Sequence, residues 1–309
     1  MIVALMDRPA SPPTIRPARL DDAAAIYRLA AAHDVHLEGP EGLGLPYLER
    51  LFGDGTVLIA ARNGQVVGFA AAVWLRPATG VSTPATGRSH VSDLFVEPAQ
   101  HGSGVGGPLF RALLEAHRDE RWSVSSSNDP RAQSLYARAG MAPAWPLYYL
   151  QRRPADADRP LPPRPQTSVV RRIVVPELIA HFAQLSGLDR TLDIATWSSR
   201  RGGTPIAVEL DAHVALAGCV RDGATPQVRW LDAAVIAPDA DPVAALSAAL
   251  ASDEIARPGG SIGLCLGGPH PALRSLLDAG FRIVERDTWC ETPIGLVDPA
   301  RIVPDPSVG

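Results

Sequence analysis

Cysteines, long apolar runs and net charge are all scarce in this sequence. The chain of 309 residues has only three cysteines, Cys219, Cys265 and Cys290, which lie far apart and form no CxxC pair. This spacing provides neither a zinc pattern nor a disulfide framework, so we expect a reducing, cytoplasmic location and no metal. No run of 18 apolar residues exists, so no membrane span is predicted. The net charge of −4 argues against nucleic-acid binding and binding to anionic membranes.

Length and composition divide the chain into two parts. At 309 residues it is too long for a typical single core, and about two domains are expected. The stretch "QRRPADADRPLPPRPQTS" (151–168) contains five prolines, four arginines and almost no apolar residue, which is typical of an extended linker. The opening "MIVALMDRPASPP" is too short for a signal peptide. We therefore predict a flexible lead (1–13), a first domain (14–151), a linker (152–168) and a second domain (169–309).

The first half alternates between strand and helix patterns. Asn63-Gly64 interrupts the apolar stretch 56–75 and predicts a hairpin with a type I′ turn. Helical spacing follows Asp21 and Asp22, either of which could cap the helix, and Gly140 predicts the end of another helix. Strands are further predicted at 14–18, 91–96, 122–127 and 146–151, and helices at 105–118 and 130–138. This pattern indicates an α/β fold with a mixed central sheet flanked by helices.

The second half repeats this plan at an almost constant offset. "VSDLFVEP" ends at Pro98 and "LDAAVIAP" at Pro238, and 238 − 98 = 140. Gly140 and Gly280, each after a helix, are also 140 apart, whereas Gly68 and Gly218 are 150 apart. A duplication explains these offsets better than chance repetition of apolar patterns. The second copy has "DADPVAAL" in place of "QHGSGVGG", so it has lost the glycines.

That glycine-rich loop is the most unusual feature of the chain. It has four glycines in residues 102–107, between a strand and a helix. A glycine-rich turn at a helix N-terminus exposes backbone N–H groups, which favour an anion such as phosphate. The loop contains no lysine, which excludes a P-loop, and Gly102, Gly104 and Gly107 match GxGxxG without the acidic residue of a dinucleotide site. A turn without a ligand remains an alternative.

Three segments together resemble the GNAT superfamily of acyl-CoA-dependent N-acyltransferases. "LFVEPAQHGSGVGGPLF" is similar to its motif A, although His101 stands where arginine or glutamine is usual. "NDPRAQSLYARAGM" is similar to motif B, and "IRPARLDDAAAIYRLA" to the usual start of the domain. The resemblance covers about residues 14–151 and implies two tandem GNAT-like domains, the second of them degenerate.

The resemblance also implies acetyl-CoA as co-substrate and identifies residues that would bind it. Pantetheine would pair with the strand at Leu94, Phe95 and Val96. The pyrophosphate would be bound by the loop, namely His101, Gly102, Ser103, Gly104, Val105, Gly106 and Gly107. The family's asparagine aligns with Asp129, and Asn128 is one residue away, so both are candidates; Asp129 is alternatively a helix N-cap.

The catalytic candidates are Tyr136 and Asp93. The resemblance implies that Tyr136 is the general acid, whereas the second copy has Leu276 at the same offset. The acceptor amine must lose a proton, and Asp93 is the preferred base, with His90 and His101 as alternatives. A purely structural role is the alternative for Tyr136, and a solvated strand carboxylate is the alternative for Asp93. His33, Asp34, His36 and Glu38 form a candidate substrate wall.

The predicted function is therefore transfer of an acetyl group from acetyl-CoA to a primary amine. The amine would belong to a small molecule or a peptide N-terminus, and the protein would be a monomer or homodimer. Two alternatives remain open. One is a sensory protein that binds acyl-CoA without catalysis, and the other is a tandem acyltransferase similar to mycothiol synthase.

Overall fold

The computed structural model describes residues 11–33, 44–117, 121–156, 158–200, 202–223 and 227–305. The helices and strands of the first half are β1 Thr14–Pro17, α1 Ala23–Ala31, α2 Gly44–Asp54, β2 Gly55–Arg62, β3 Gln65–Pro77, β4 Arg88–Val96, α3 Gly106–His117, β5 Trp122–Ser126, α4 Pro130–Arg138 and β6 Ala142–Arg152. Those of the second half are β7 Val169–Arg172, α5 Val175–Ser186, β8 Leu188–Asp189, α6 Thr191–Ser199, β9 Thr204–Leu210, β10 His213–Asp222, β11 Val228–Ile236, α7 Pro242–Leu250, β12 Ser261–Gly267, α8 Leu273–Asp278, β13 Arg282–Thr292 and β14 Ile302–Val303.

Both halves contribute to one mixed sheet. Its strand order is β1-β2-β3-β4-β5-β13-β6-β12-β11-β10-β9-β7, with β14 on β11 and β8 on β3. The order is symmetric, because β1 to β6 of the first half correspond to β7, β9, β10, β11, β12 and β13 of the second. The central antiparallel pair obeys the offset of 140: Gln151 pairs with Arg282, and Ala142 (282 − 140) pairs with Glu291 (151 + 140). The predicted fold class, two tandem halves of the same α/β plan, is confirmed.

The last strand of each half lies inside the other half's part of the sheet. The sequence pattern predicted that residues 146–151 would close the first domain. Instead, β13 lies between β5 and β6, and β6 pairs with β12 on its other side. This exchange gives the first half an edge made of second-half residues, which matters for the site described below.

Local signals account for most of the predicted elements. Asn63 and Gly64 both have positive φ, as a type I′ turn requires. The Asp129 side chain accepts a hydrogen bond from the Arg131 N–H and caps α4. Helix α2 was not predicted from the sequence. The predicted linker is held by side-chain hydrogen bonds, for example from Arg152 to the backbone oxygens of Ala279 and Arg159.

The strands β4 and β5 diverge, and this divergence positions the site. They pair in parallel only at residues 89–91 of β4, so Leu94–Val96 have no described strand beside them on that side. In the second half, the equivalent gap beside β11 is filled, because β14 pairs with Ala234 and Val235. The two copies therefore differ in whether the gap is open.

Candidate active site

The glycine loop joins the open end of β4 to helix α3. Gly102 and Gly104 have φ of +77° and +81°, a region that favours glycine, and a Cβ on either would meet no atom within 4 Å. Beneath the loop, the buried Arg62 donates to Gln100 Oε1 (2.6 Å) and Ser103 Oγ (3.0 Å). Arg62 thus fixes the loop's shape, a role that no sequence motif indicates. The loop's outer face is open.

A groove of about 410 Å³ runs along this loop and the open strand. Ten of the predicted cofactor-binding residues line it: Leu94, Phe95, Val96, His101, Gly102, Gly104, Val105, Gly106, Gly107 and Asp129. Two others do not. Ser103 is held from below by Arg62, and the Asn128 amide donates to the Arg286 backbone oxygen (2.6 Å). Asn128 therefore attaches the loop before α4 to β13, and the groove receives Asp129, Arg131 and Arg138 instead.

Two histidines converge on one backbone oxygen at the end of β4. His33 Nε2 and His101 Nε2 lie 2.8 and 2.9 Å from the Val96 carbonyl oxygen, and both must donate because a carbonyl can only accept. Their rings are 5.5 Å apart. His101 thereby links the start of the glycine loop to the strand, which gives a structural reason for histidine there. The other predicted substrate residues, Asp34, His36 and Glu38, lie outside the described residues.

A second cavity, of about 360 Å³, continues from the groove towards the sheet. The two cavities share five lining residues: His33, Leu94, Phe95, Ser127 and Ala132. Its polar lining is mostly carboxylate and phenol, contributed by Asp93, Tyr136, Tyr149, Glu285 and Asp287. We refer to it as the acidic pocket.

Asp93 is a buried carboxylate in this pocket. It accepts a hydrogen bond from the Tyr47 hydroxyl at 2.6 Å. Burial raises the pKa of Asp93 to about 7, although the Tyr47 hydrogen bond and the Arg50 charge both act to lower it. Phe95, two residues along the same strand, packs on the cluster that contains Tyr47. A carboxyl group with this pKa can exchange a proton near neutral pH.

Tyr136 lies on α4, with its ring edge-on to Phe110 at 5.2 Å. It is 5% exposed, and burial followed by the charges of Cys290 and Asp93 raises its pKa. The phenol therefore stays protonated over the pH range of ordinary protein stability. No described residue forms a hydrogen bond with its hydroxyl, and the residue lines the acidic pocket. The predicted pair Tyr136 and Asp93 thus lies on one cavity.

Two carboxylates of the pocket come from the second half, on β13. Asp287 Oδ2 accepts from the Tyr149 hydroxyl (2.9 Å) and the Ser125 hydroxyl (3.2 Å), and burial raises the pKa of this carboxyl. Burial and the Asp287 charge also raise the pKa of Glu285. Neither residue was predicted from the sequence, since only the strand exchange brings residues 285 and 287 to a site more than 140 positions earlier in the chain.

Asp93→Asn is expected to reduce the dependence of the free energy of unfolding on pH. The folded-state pKa of about 7 lies above the usual value of about 3.9 in an unfolded chain. The neutral carboxyl therefore favours the folded state, and this stability is lost as pH rises from about 4 through about 7. Urea unfolding at pH 5 and pH 8 should show the variant gaining stability relative to the wild type at the higher pH. If the free energies of unfolding of variant and wild type differ by the same amount at both pH values, the titration assigned to Asp93 is contradicted.

Two further observations bear on the kind of site. Over the residues that the structure describes, no group of three or more His, Cys, Asp or Glu side chains is arranged to hold a metal ion. None of the described helices has the length and apolarity needed to cross a membrane.

Part of the chain matches a known family. Residues 24–141 match the model described as the Acetyltransferase (GNAT) family. Over 181 residues the chain is 34% identical to the mycothiol acetyltransferase of Frankia alni. That match covers 53% of this chain and 50% of the relative, so it spans about half of each protein.

Solved structures of low identity share the fold over nearly the whole chain. A candidate acetyltransferase from Pyrococcus horikoshii has a TM-score of 0.69 at 15% identity and covers 98% of both chains. A tandem GNAT protein from the clavulanic acid biosynthesis pathway has a TM-score of 0.56 at 14% identity, over 93% of this chain and 100% of its own. Residues 24–141 are therefore a domain of the GNAT acetyltransferase family, within a chain folded as two GNAT-like halves.

Proposed function

We propose that the first half transfers an acetyl group from acetyl-CoA to a cationic primary amine. The observation that carries this proposal is the continuity of the groove with the acidic pocket. A thioester lying along the groove would present its carbonyl carbon where Asp93 and Tyr136 line the pocket. The GNAT family, to which this domain belongs, uses acetyl-CoA generally.

The described residues fit such a cofactor. The helix α3 begins at Gly106, and the first turn of a helix has N–H groups without intrahelical partners, which suit a pyrophosphate. Arg138 adds positive charge to the groove, whereas Arg131 is paired with Asp129. For the pantetheine arm, β14 of the second half provides an internal analogue: the Ile236 N–H donates to the Arg301 oxygen. Val96 is the equivalent of Ile236 (236 − 140), on the strand whose gap is open.

The same comparison argues against cofactor binding in the second half. There β14 occupies the gap beside β11. In addition, the Asp241 carboxylate accepts from the Val243 and Ala244 N–H groups at the start of α7. A carboxylate therefore holds the N–H groups that a phosphate would need, and its charge would repel one. We accordingly assign the chemistry to the first half, with the second half completing the acceptor pocket.

The reaction needs a neutral amine, a polarised carbonyl and a proton for the departing sulfur. Asp93, ionised above about pH 7, would take a proton from the ammonium group of the acceptor. The amine nitrogen then attacks the thioester carbonyl carbon, and the C–S bond breaks. Tyr136, which stays protonated, would donate its proton to the thiolate of CoA, and the attacking nitrogen would lose its second proton to the phenolate, which restores Tyr136. A thiol pKa near 8.5 already makes that thiolate a fair leaving group. A backbone N–H of β4 would polarise the carbonyl oxygen.

A second candidate is the activity named for the Frankia relative, mycothiol acetylation. The 34% identity to that protein favours it. It is the same reaction class with a different acceptor, so the deacetylated form of mycothiol belongs in the acceptor panel. Binding of acyl-CoA without catalysis is the third possibility, and it predicts no thiol release with any amine.

The experiment is a thiol-release assay with acetyl-CoA and a panel of monoamines, diamines, amino acids, peptides and deacetylated mycothiol. Glu285→Gln is expected to lower kcat/KM for diamines about tenfold, because it removes a negative charge from the pocket, and to affect neutral acceptors little. Glu285 is exposed, so its substitution should not affect folding.

Asp278→Asn is the matched control, because Asp278 is also exposed and on the second half but does not line the pocket. Equal losses in both variants would show a general charge effect instead of a contact with the acceptor. Absence of thiol release with every amine would reject the enzyme and favour the binding protein.

A further inference from the structure

A further cavity lies between the two halves, away from the site above, and is larger than the groove and the acidic pocket. Its volume is about 650 Å³, within the range of small-molecule sites. Part of its lining is apolar, including Phe182, Leu185, Leu188, Trp197 and Val235. The rest has more basic than acidic side chains: four arginines reach it, Arg88, Arg121, Arg190 and Arg301, against two aspartates, Asp298 and Asp305. We refer to it as the basic cavity.

Arg88, at the start of β4, is the unusual member of this set. It is 8% exposed, yet it forms no hydrogen bond or ion pair with any residue in the described ranges. Its Nε is a fully buried nitrogen without a partner. A buried cation without a counter-ion is costly, so it needs an explanation. Burial and the nearby Arg190 charge lower the pKa of Arg88 to about 10, although the Glu291 charge acts to raise it.

The carboxylates around the cavity are engaged by other groups. Glu291 Oε1 accepts from the Gly295 and Leu296 N–H groups, and its Oε2 accepts from the Trp289 indole. These bonds join Glu291, near the end of β13, to the loop that borders the cavity.

Three aspartates complete the set. Asp298 accepts from the Ala300 N–H at 2.9 Å and lies 4.0 Å from Arg301. Asp305 accepts from the Trp197 indole at 2.9 Å and forms an ion pair with Arg200. Asp193 bridges Arg190 and Arg50. None of the described carboxylates therefore forms a hydrogen bond or an ion pair with Arg88, and Glu291 acts on it only through its charge.

Pseudo-symmetry relates the basic cavity to the acidic pocket. The acidic pocket is lined by β4, including Asp93 and Phe95, and by His33 at the end of α1. At an offset of 140, Asp93 and Phe95 correspond to Ala233 and Val235 of β11, which line the basic cavity. The end of α5, with Leu185, takes the place of the end of α1. The duplicated copy thus kept a cavity at this position with Ala233 in place of Asp93, and the arginines of this cavity come from other positions in both halves.

We propose that the basic cavity is a binding site for a small molecule with an oxyanion head and an apolar body. The head, a carboxylate or a phosphate, would bind to the guanidinium group of Arg88, which presents paired donors to either group. The body would pack against the Phe182 and Trp197 side of the cavity. The ligand supplies the directly bonded anion that the described residues do not.

The test uses the full chain and three probes in calorimetric titrations: benzoate, phenylphosphate and the uncharged benzyl alcohol. Benzoate or phenylphosphate is expected to bind, the difference between them reporting which head is preferred, whereas benzyl alcohol should bind at least about tenfold more weakly. Arg88→Met is expected to weaken the preferred oxyanion at least about tenfold. The same variant should have a higher Tm than the wild type without probe, since methionine removes an unpaired buried charge.

The control is Arg138→Met, because Arg138 lines the glycine-loop groove, which could also attract an oxyanion. It should leave unchanged the affinity of the site that Arg88→Met weakens. Four results would overturn the proposal: no binding of either oxyanion at millimolar concentration, equal binding of benzyl alcohol, loss of binding in Arg138→Met but not in Arg88→Met, or a lower Tm of ligand-free Arg88→Met. The last would mean that Arg88 has an internal counter-ion.

Discussion

Gly104→Asp is expected to abolish measurable binding of acetyl-CoA. Gly104 lines the groove, has φ of +81°, and has open space where its Cβ would be. An aspartate there would direct a carboxylate into the space proposed for the pyrophosphate. Repulsion between like charges a few ångströms apart, in a partly buried groove, amounts to about 3 kcal/mol, or a factor on the order of 100 in Kd. Calorimetric titration of both proteins with acetyl-CoA measures this change.

Gly80→Asp separates that effect from backbone strain. Gly80 has a similar φ of +75° and is exposed, and a Cβ added to it would likewise meet no atom within 4 Å, but it lies outside the groove. A side chain in the left-handed region destabilises the folded state of both variants by the same amount, roughly 1 kcal/mol. Normal acetyl-CoA affinity in Gly104→Asp would reject the loop assignment, and an equal loss in Gly80→Asp would attribute the effect to folding.

Local sequence signals were sufficient for the glycine loop and its surroundings. Glycines at 102 and 104, the helix cap at Asp129 and the hairpin at Asn63-Gly64 each depend on the backbone conformation of a few adjacent residues. Short stretches of the sequence determine these backbone conformations, so residue spacing predicts them. The offset of 140 added that the second half repeats the plan of the first, because duplicated segments fold alike.

The acidic pocket was only partly predictable, for a physical reason. Asp93 and Tyr136 belong to the half that carries the loop, whereas Glu285 and Asp287 arrive through the exchange of β6 and β13. Whether a last strand pairs within its own half or with the other copy depends on the linker and on side-chain packing between copies. Alternation of apolar residues is the same in both cases. Single-sequence periodicity therefore cannot distinguish them.

Single-sequence periodicity also fails to predict the buried side chains that support the site. Arg62 supports the loop from β2, and Tyr47 donates to Asp93 from α2, a helix that periodicity did not reveal. Each contact joins residues about 40 positions apart, and neither residue belongs to a motif. Such positioning residues become visible only when the fold brings them together.

Tyr136→Phe is expected to lower kcat on the order of 100-fold while leaving the Kd for acetyl-CoA unchanged. The substitution removes one oxygen and keeps the edge-on contact with Phe110. No described residue bonds to that hydroxyl, so its loss should not lower the Tm. General-acid catalysis contributes at least about 100-fold where it operates, and it acts on the transition state and not on ground-state binding.

This variant also separates the role of Tyr136 from that of Asp93. If Tyr136 protonates the departing sulfur, its loss should matter less for acyl donors whose thiols are more acidic than CoA, because their thiolates leave without help. Comparing thioesters of different thiol pKa in wild type and Tyr136→Phe measures that dependence. The rise of kcat/KM with pH through about 7, assigned to Asp93, should persist in the variant. Undiminished turnover with acetyl-CoA would remove Tyr136 from the mechanism, and an equal loss for all thioesters would indicate a positioning role.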